Sequence, residues 1–254
     1  MWKAFRERPT FYIYALFLLG FLYIPLIALS VVSFQGGPTF FHWYEKAFSD
    51  PQLIHALNNS VLIGIGSTTI ATTLGTMAAL ALRKMNFKGM AFVDSILNLP
   101  LVLPEIVMGL SMLVWFAFVN ITLGLVSVTL AHATFCSPYV ILMISARLQG
   151  IDPLLEEAAA DLGATPWTTF WRILFPLILP AVVSSALLAF TLSFDDFLIT
   201  FFTGGVDSDT LPVRIYSMMR FGIKPEMNAI SAAVLFFTLA TVLVISRLKQ
   251  DDSN

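Results

Sequence analysis

Three carboxylates lie inside otherwise apolar stretches of this chain: Glu105, Asp195 and Asp196. An ionised acid at the centre of a bilayer costs roughly 2.5–3.5 kcal/mol on insertion scales, so each requires an explanation. No lysine or arginine falls in the same stretches, and His132 is their one weak base. One base cannot neutralise three acids, which points to a positive charge that arrives from outside. Glu105 follows Pro100 and Pro104. These break a helix near mid-membrane and free backbone carbonyls, a setting that suits a cation. Asp195 and Asp196 stand about 100° apart on a helix and cannot both point the same way. Asp195 shares a stripe with Ser184 and Thr191, and Asp196 shares one with Ser185 and Ser193. Either can face a pathway. The competing reading leaves Glu105 protonated or paired with His132 and uses the aspartates to cap broken helices.

A second cluster lies at 152–176. Asp152 and Pro153 form an N-cap and N1 pair, because the carboxylate accepts from free N–H groups and proline needs no acceptor. Glu156 and Glu157 follow near the positive helix end. Ala158, Ala159 and Ala160 propagate the helix, and Gly163 is placed to end it in a left-handed conformation. The expectation is a helix of about ten residues whose small side chains let another protein approach closely. The plainer alternative is a connector between two spans. The sequence has no Gly-x4-Gly-Lys-Ser/Thr phosphate loop and not one Gly-Lys dipeptide, so this chain is not expected to hydrolyse ATP. His132 and Cys136 share a helix face, but two ligands do not make a metal site and packing is the preferred reading.

The elements that must hold these groups are membrane spans. Of the 254 residues, 57% are hydrophobic and only 12% charged, against about 25% charged in soluble domains. The net charge of −2 offers no basic footprint for nucleic acid. Six segments are long enough to cross the hydrocarbon core: 11–34, 59–82, 91–119, 122–146, 177–203 and 228–246. Each must be helical, since lipid leaves backbone groups no other partner. The first run is too long for a signal-peptide core and reads as a retained helix. Lys3, Arg6, Arg8, Arg83, Lys84, Lys88, Arg147, Arg172, Arg247 and Lys249 fall on the side of the N-terminus. Only Lys46, Arg214, Arg220 and Lys224 fall opposite, which places both termini in the cytoplasm. Asn120-Ile121 makes a tight outer hairpin. Phe40, Phe41, Trp43 and Tyr44 suit a headgroup zone, and a surface-lying helix is expected from Leu211 onward. Arg147 and Arg172 flank the 152–176 segment as headgroup anchors, and Asp94 is expected to pair with Lys84 or Lys88.

The polar helix resembles the EAA loop of ABC-importer permeases, Glu-Ala-Ala-x3-Gly-x9-Ile-x-Leu-Pro. Glu157, Ala158, Ala159, Gly163, Ile173 and Pro176 fall on that spacing, with Phe175 in place of the usual leucine. The stretches 99–108, 193–196, 211–218 and 222–229, together with Trp43-Tyr44, narrow the likeness to the spermidine/putrescine importer permeases, in their PotC-type second subunit. It covers nearly the whole chain. That family commonly carries an acidic residue where Glu105 stands, often the shorter aspartate.

The resemblance implies an all-α integral membrane protein with six spans and the type I, MetI-like permease fold, held in a bacterial inner membrane. It implies a cytoplasmic coupling helix in which Glu156, Glu157, Ala158, Ala159, Asp161 and Gly163 meet an ATPase. Glu105, Asp195 and Asp196 would line the substrate path. The implied partners are a homologous PotB-type permease, two ABC ATPases carrying ATP and Mg, and a periplasmic or extracellular polyamine-binding protein, with no cofactor on this chain. Polyamines carry two to four positive charges, which suits a carboxylate path on chemical grounds alone. Trp115, Phe116 and Phe194 can add cation–π contacts, although lipid or core packing explains any one of them. The rival readings are the same architecture serving another cationic or small solute, a proton-coupled secondary carrier, and a purely structural subunit. A lone carrier has no use for a coupling helix, and a structural subunit needs no acids at mid-depth.

Overall fold

The computed structural model describes residues 9–85, 89–220, 222 and 224–251. Expectations resting on Lys3, Arg6, Arg8 and Lys88, or on the side chains of Asp94, Arg247 and Lys249, lie outside that description. Every regular element among the described residues is helical. In order these are α1 (Pro9–Val32), α2 (His42–Ser49), α3 (Pro51–Lys84), α4 (Met90–Val102), α5 (Glu105–Phe118) and α6 (Leu125–Gln149). Then follow α7 (Leu154–Asp161), α8 (Pro166–Thr169), a π-helical turn (Phe170–Leu174), α9 (Phe175–Asp195), α10 (Leu198–Thr203), α11 (Leu211–Met219) and α12 (Pro225–Asp251).

Among the described residues five helices are long and apolar enough to cross a membrane: Tyr12–Val32, Pro51–Lys84, Leu125–Gln149, Pro166–Asp195 and Pro225–Leu243. The pair Ser95–Val102 and Glu105–Phe118 makes a sixth if counted as one span, bent by 115°. The bend sits where Leu103 and Pro104 are extended, because proline lacks an N–H and disfavours a helical residue before it. The expected fifth span, 177–203, differs in two ways. It begins earlier, at Pro166, and passes through the π turn just before Pro176, whose missing N–H interrupts the regular ladder. It also ends at Asp195, with α10 as a separate piece. Residues 35–58, expected as an outer loop, are largely helical, since α2 and the first turns of α3 occupy them.

The chain divides into two compact units. The larger comprises 55–214 and 238–254 and is organised around α6. There Val128, His132, Cys136, Val140, Ile144 and Leu148 recur every four residues, and all are buried. A four-residue repeat keeps one helix face turned inward. α9 packs along α6, and α10 packs against α5. Glycine allows the closest approaches. A Cβ on Gly75 would stand 2.7 Å from Val140 Cγ1, and one on Gly109 would stand 3.2 Å from the Leu198 carbonyl oxygen. The smaller unit comprises 1–54 and 215–237. Phe34 stacks on Phe40 and Tyr44 there, Trp43 Nε1 donates to the Gln35 carbonyl, and Lys46 pairs with Glu226. No residue in the apolar window of α1 is buried within the chain.

Candidate functional site

The acids of the fifth span sit at its break. Asp196 is extended, and its carboxylate accepts from the backbone N–H groups that the break leaves open. Oδ1 receives Ile199 N at 3.4 Å and Oδ2 receives Thr200 N at 2.9 Å. This is a side chain capping the first turn of α10. His132 Nε2 lies 3.2 Å from the same Oδ2 and 2.9 Å from Thr200 Oγ1. On the other edge of the ring, Nδ1 lies 2.7 Å from Ser193 Oγ, which accepts from Ser67 Oγ at 2.9 Å. Ser67 donates to Ser193, whose hydroxyl meets Nδ1, while Nε2 meets the Thr200 hydroxyl, which itself donates to Asp196. All five residues are buried. A buried polar cluster with every member paired is rigid, and losing one member leaves the others costly.

Asp195 takes the opposite course. It is exposed, accepts from the Thr238 hydroxyl, and lines a cavity of about 400 Å³ together with Glu105, Phe135, Thr191, Phe197 and Leu198. Asp196 contributes to the same wall but commits its carboxylate to the break. Glu105 is exposed and opens α5, where the positive helix end favours an acid. Among the described residues none of those lining this cavity is cationic. The three acids are thus brought to one cavity, two open to it and one locked beside it. Phe116 and Phe194 are buried and Trp115 is exposed, and the aromatic walls come from Phe135 and Phe197 instead. His132 lies against Asp196 and not Glu105.

The second candidate, expected to face the cytoplasm, is α7 and its exit. The helix is eight residues long, not ten, because Asp152 and Pro153 form a tighter turn ahead of it. Asp152 Oδ1 accepts from Leu154 N at 2.9 Å, and Leu155 N and Glu156 N reach back three residues. The far end follows the sequence. Gly163 has φ +81°, Gly163 N donates to Ala160 O, and Ala164 N donates to Ala159 O, the paired bonds of a Schellman ending. Glu157, Ala158, Asp161 and Gly163 are exposed, and Ala159 is buried. Leu154, Leu155, Leu162 and Trp167 add exposed apolar surface, with Leu162 90% exposed. Exposed apolar side chains on a polar loop leave surface that a partner can cover.

Glu156 turns the other way. Its Oε1 lies 2.9 Å from Arg83 Nη1 and its Oε2 3.3 Å from Lys84 Nζ. Sequence reasoning placed Arg83 only as an orientation signal, and Lys84 as one and as a partner for Asp94. Their spacing from Glu156 along the chain is long, so nothing local announces the pair. Arg147, expected at the headgroups, donates from Nε to the Leu177 carbonyl at 2.9 Å. Ser67, Ser193 and Thr200 were also missed as members of the His132 cluster. The one available signal was their polarity within apolar runs.

Residues 71–250 match the family described as binding-protein-dependent transport system inner membrane component. The spermidine/putrescine transport system permease protein PotC of Haemophilus influenzae is 42% identical over 250 residues, covering 96% of this chain and 95% of that protein. The putrescine transport system permease protein PotI of Escherichia coli (strain K12) is 39% identical, covering 86% and 83%. In shape the chain is similar to a bacterial ABC transporter involved in import of the acidic polysaccharide alginate. That match has a TM-score of 0.71 with 99% and 98% coverage. At 16% identity this likeness shows a shared fold, that of an ABC-importer membrane subunit.

Proposed function

Because this chain belongs to the binding-protein-dependent transport system inner membrane component family, we propose that it is the permease subunit of an ATP-driven importer of polyamines, spermidine and putrescine. The observation that carries the substrate class is the cavity that Glu105 and Asp195 share, with no cation among the described residues that line it. Two open carboxylates and two aromatic faces suit a linear, multiply charged amine. The similarity to polyamine permeases supports the same assignment.

The chain sits as a multi-pass subunit of the bacterial inner membrane, with both termini cytoplasmic. It pairs with a homologous PotB-type permease, stands on two ABC ATPases that hold ATP and Mg, and receives cargo from a soluble polyamine-binding protein outside. This chain binds no cofactor of its own. The outward face of α7, with Glu157, Ala158, Asp161 and Gly163 beside Leu154 and Leu162, seats in the ATPase. Nucleotide-driven closure displaces α7 and the spans joined to it, which alternates access to the cavity. The cation passes Glu105 and Asp195 while Asp196, locked by His132, keeps the break in shape. Hydrolysis resets the inward state.

The test is uptake of labelled spermidine by vesicles holding the co-expressed complex. ATP-dependent uptake by the wild type, lost in Glu157→Lys and sharply reduced in Glu105→Gln with Asp195→Asn, is the expected result. Undiminished uptake in Glu157→Lys overturns the coupling assignment. Intact assembly with no spermidine or putrescine uptake turns the assignment to another cationic solute, and uptake without any ATPase turns it to a secondary carrier.

A further inference from the structure

Glu156 and Glu157 are neighbours in the first turn of α7, yet they face different things. Glu157 is exposed, whereas Glu156 reaches back into its own chain. The two cations it meets, Arg83 and Lys84, are the last two residues of α3. Arg83 is the more enclosed and also donates from Nη2 to the Ile151 carbonyl, just before the α7 turn, at 3.5 Å. One carboxylate and one carbonyl of the loop are thus held from a single helix end.

Apolar packing does not fill the space around this joint. A cavity of about 410 Å³ lies there, lined by Leu80, Ala81 and Lys84 from α3 and by Glu156, Ala160 and Phe170 from the loop and its exit. Close-packed side chains fix the angle between two helices. Charges beside such open space hold a distance while the angle changes. Arg presents a fork of donors and Lys a rotatable ammonium, so the carboxylate keeps a partner through a change of tilt.

We infer that Arg83 and Lys84 tether α7 to the end of α3 through Glu156, so that displacement of α7 is delivered to α3 across this bridge. Glu156 is then a positioning residue directed at its own chain, and the ATPase meets Glu157. This rests on the importer reading above.

The test uses the complete co-purified complex in proteoliposomes, with labelled spermidine uptake and ATP hydrolysis measured in one preparation. Glu156→Gln is expected to lower spermidine imported per ATP hydrolysed by roughly fivefold, the low end of coupling between two sites. The ATPase subunits should remain bound. Arg83→Glu alone should do the same, and Arg83→Glu combined with Glu156→Arg should recover most of the ratio. An unchanged ratio in Glu156→Gln, release of the ATPase by that substitution, or no recovery in the swap overturns the tether.

Spin labels placed at Met85 and Leu155, both exposed and each next to a bridged residue, give a readout of the bridge that is independent of cargo and of tilt. Their separation should stay fixed on nucleotide binding in the wild type and change in Glu156→Gln. A change already present in the wild type overturns the tether. A wild-type complex that imports no spermidine sinks the substrate assignment alone, because the label separation still decides the bridge.

Discussion

Asp196 and Glu156 are both acids near the first turn of a helix, each facing a basic side chain, and they are built for opposite purposes. Asp196 is buried, accepts from two backbone N–H groups, and meets His132 within a closed set of hydroxyls. Glu156 is half-buried, meets two cations of which Lys84 is largely exposed, and borders a cavity. A carboxylate saturated away from water holds one geometry. A carboxylate at the water boundary, with more donors than it needs and room beside it, holds a partner and leaves the angle free. Exposure and saturation, more than residue type, separate a lock from a joint.

Substitution at the lock should have the largest effect. Asp196→Ala strips the α10 turn of its acceptor and His132 of its partner, and breaking a buried pair costs about 3 kcal/mol. Thermal unfolding of the purified complex in detergent should show the loss, and a change no larger than that of a surface substitution would erase the contrast. Next comes the open acid beside it. Asp195→Asn with Glu105→Gln should cut spermidine uptake about tenfold, the scale of a lost charge-assisted contact, while unfolding stays near wild type. A matching fall in stability would make these acids structural like Asp196.

At the joint, effects are smaller. Gly163→Ala forces a Cβ into the left-handed region and costs about 1 kcal/mol at the end of α7, read as weaker retention of the ATPase on co-purification. Salt should have the mildest effect. The Debye length is about 10 Å at 0.1 M and about 3 Å at 1 M, so high KCl should raise amide exchange in the first turn of α7. The same salt should leave the Ile199 and Thr200 amides protected. Equal responses at both places would remove the distinction.

The sequence announces features whose cause is local. The length of apolar runs gives the spans, Pro104 gives the bend in the third, and Gly163 gives the end of α7. The break after Asp195 is a different case, because no proline or glycine stands between Phe190 and Thr203. What holds it is His132 and Ser67, 64 and 129 positions before Asp196, and such pairings leave no periodic trace. For the same reason the sequence kept Asp195 and Asp196 as equals, and only their packing separates them. Glu156 was grouped with Glu157 as partner-facing because both fit the same helix end, whereas its contact depends on where α3 stops. α2 was hidden by an aromatic run that suits a headgroup loop as well as a short helix.

α3 is the longest helix among those described, 34 residues without an internal proline. At about 1.5 Å per residue it reaches roughly 50 Å, well beyond a hydrocarbon core of about 30 Å. A rod of that length works as a lever arm. Swinging it by about 6° around one tip carries the other roughly 5 Å, close to one helical turn. Small angular input at the Arg83–Lys84 tip is thereby magnified into travel on the scale of a side chain at the far end.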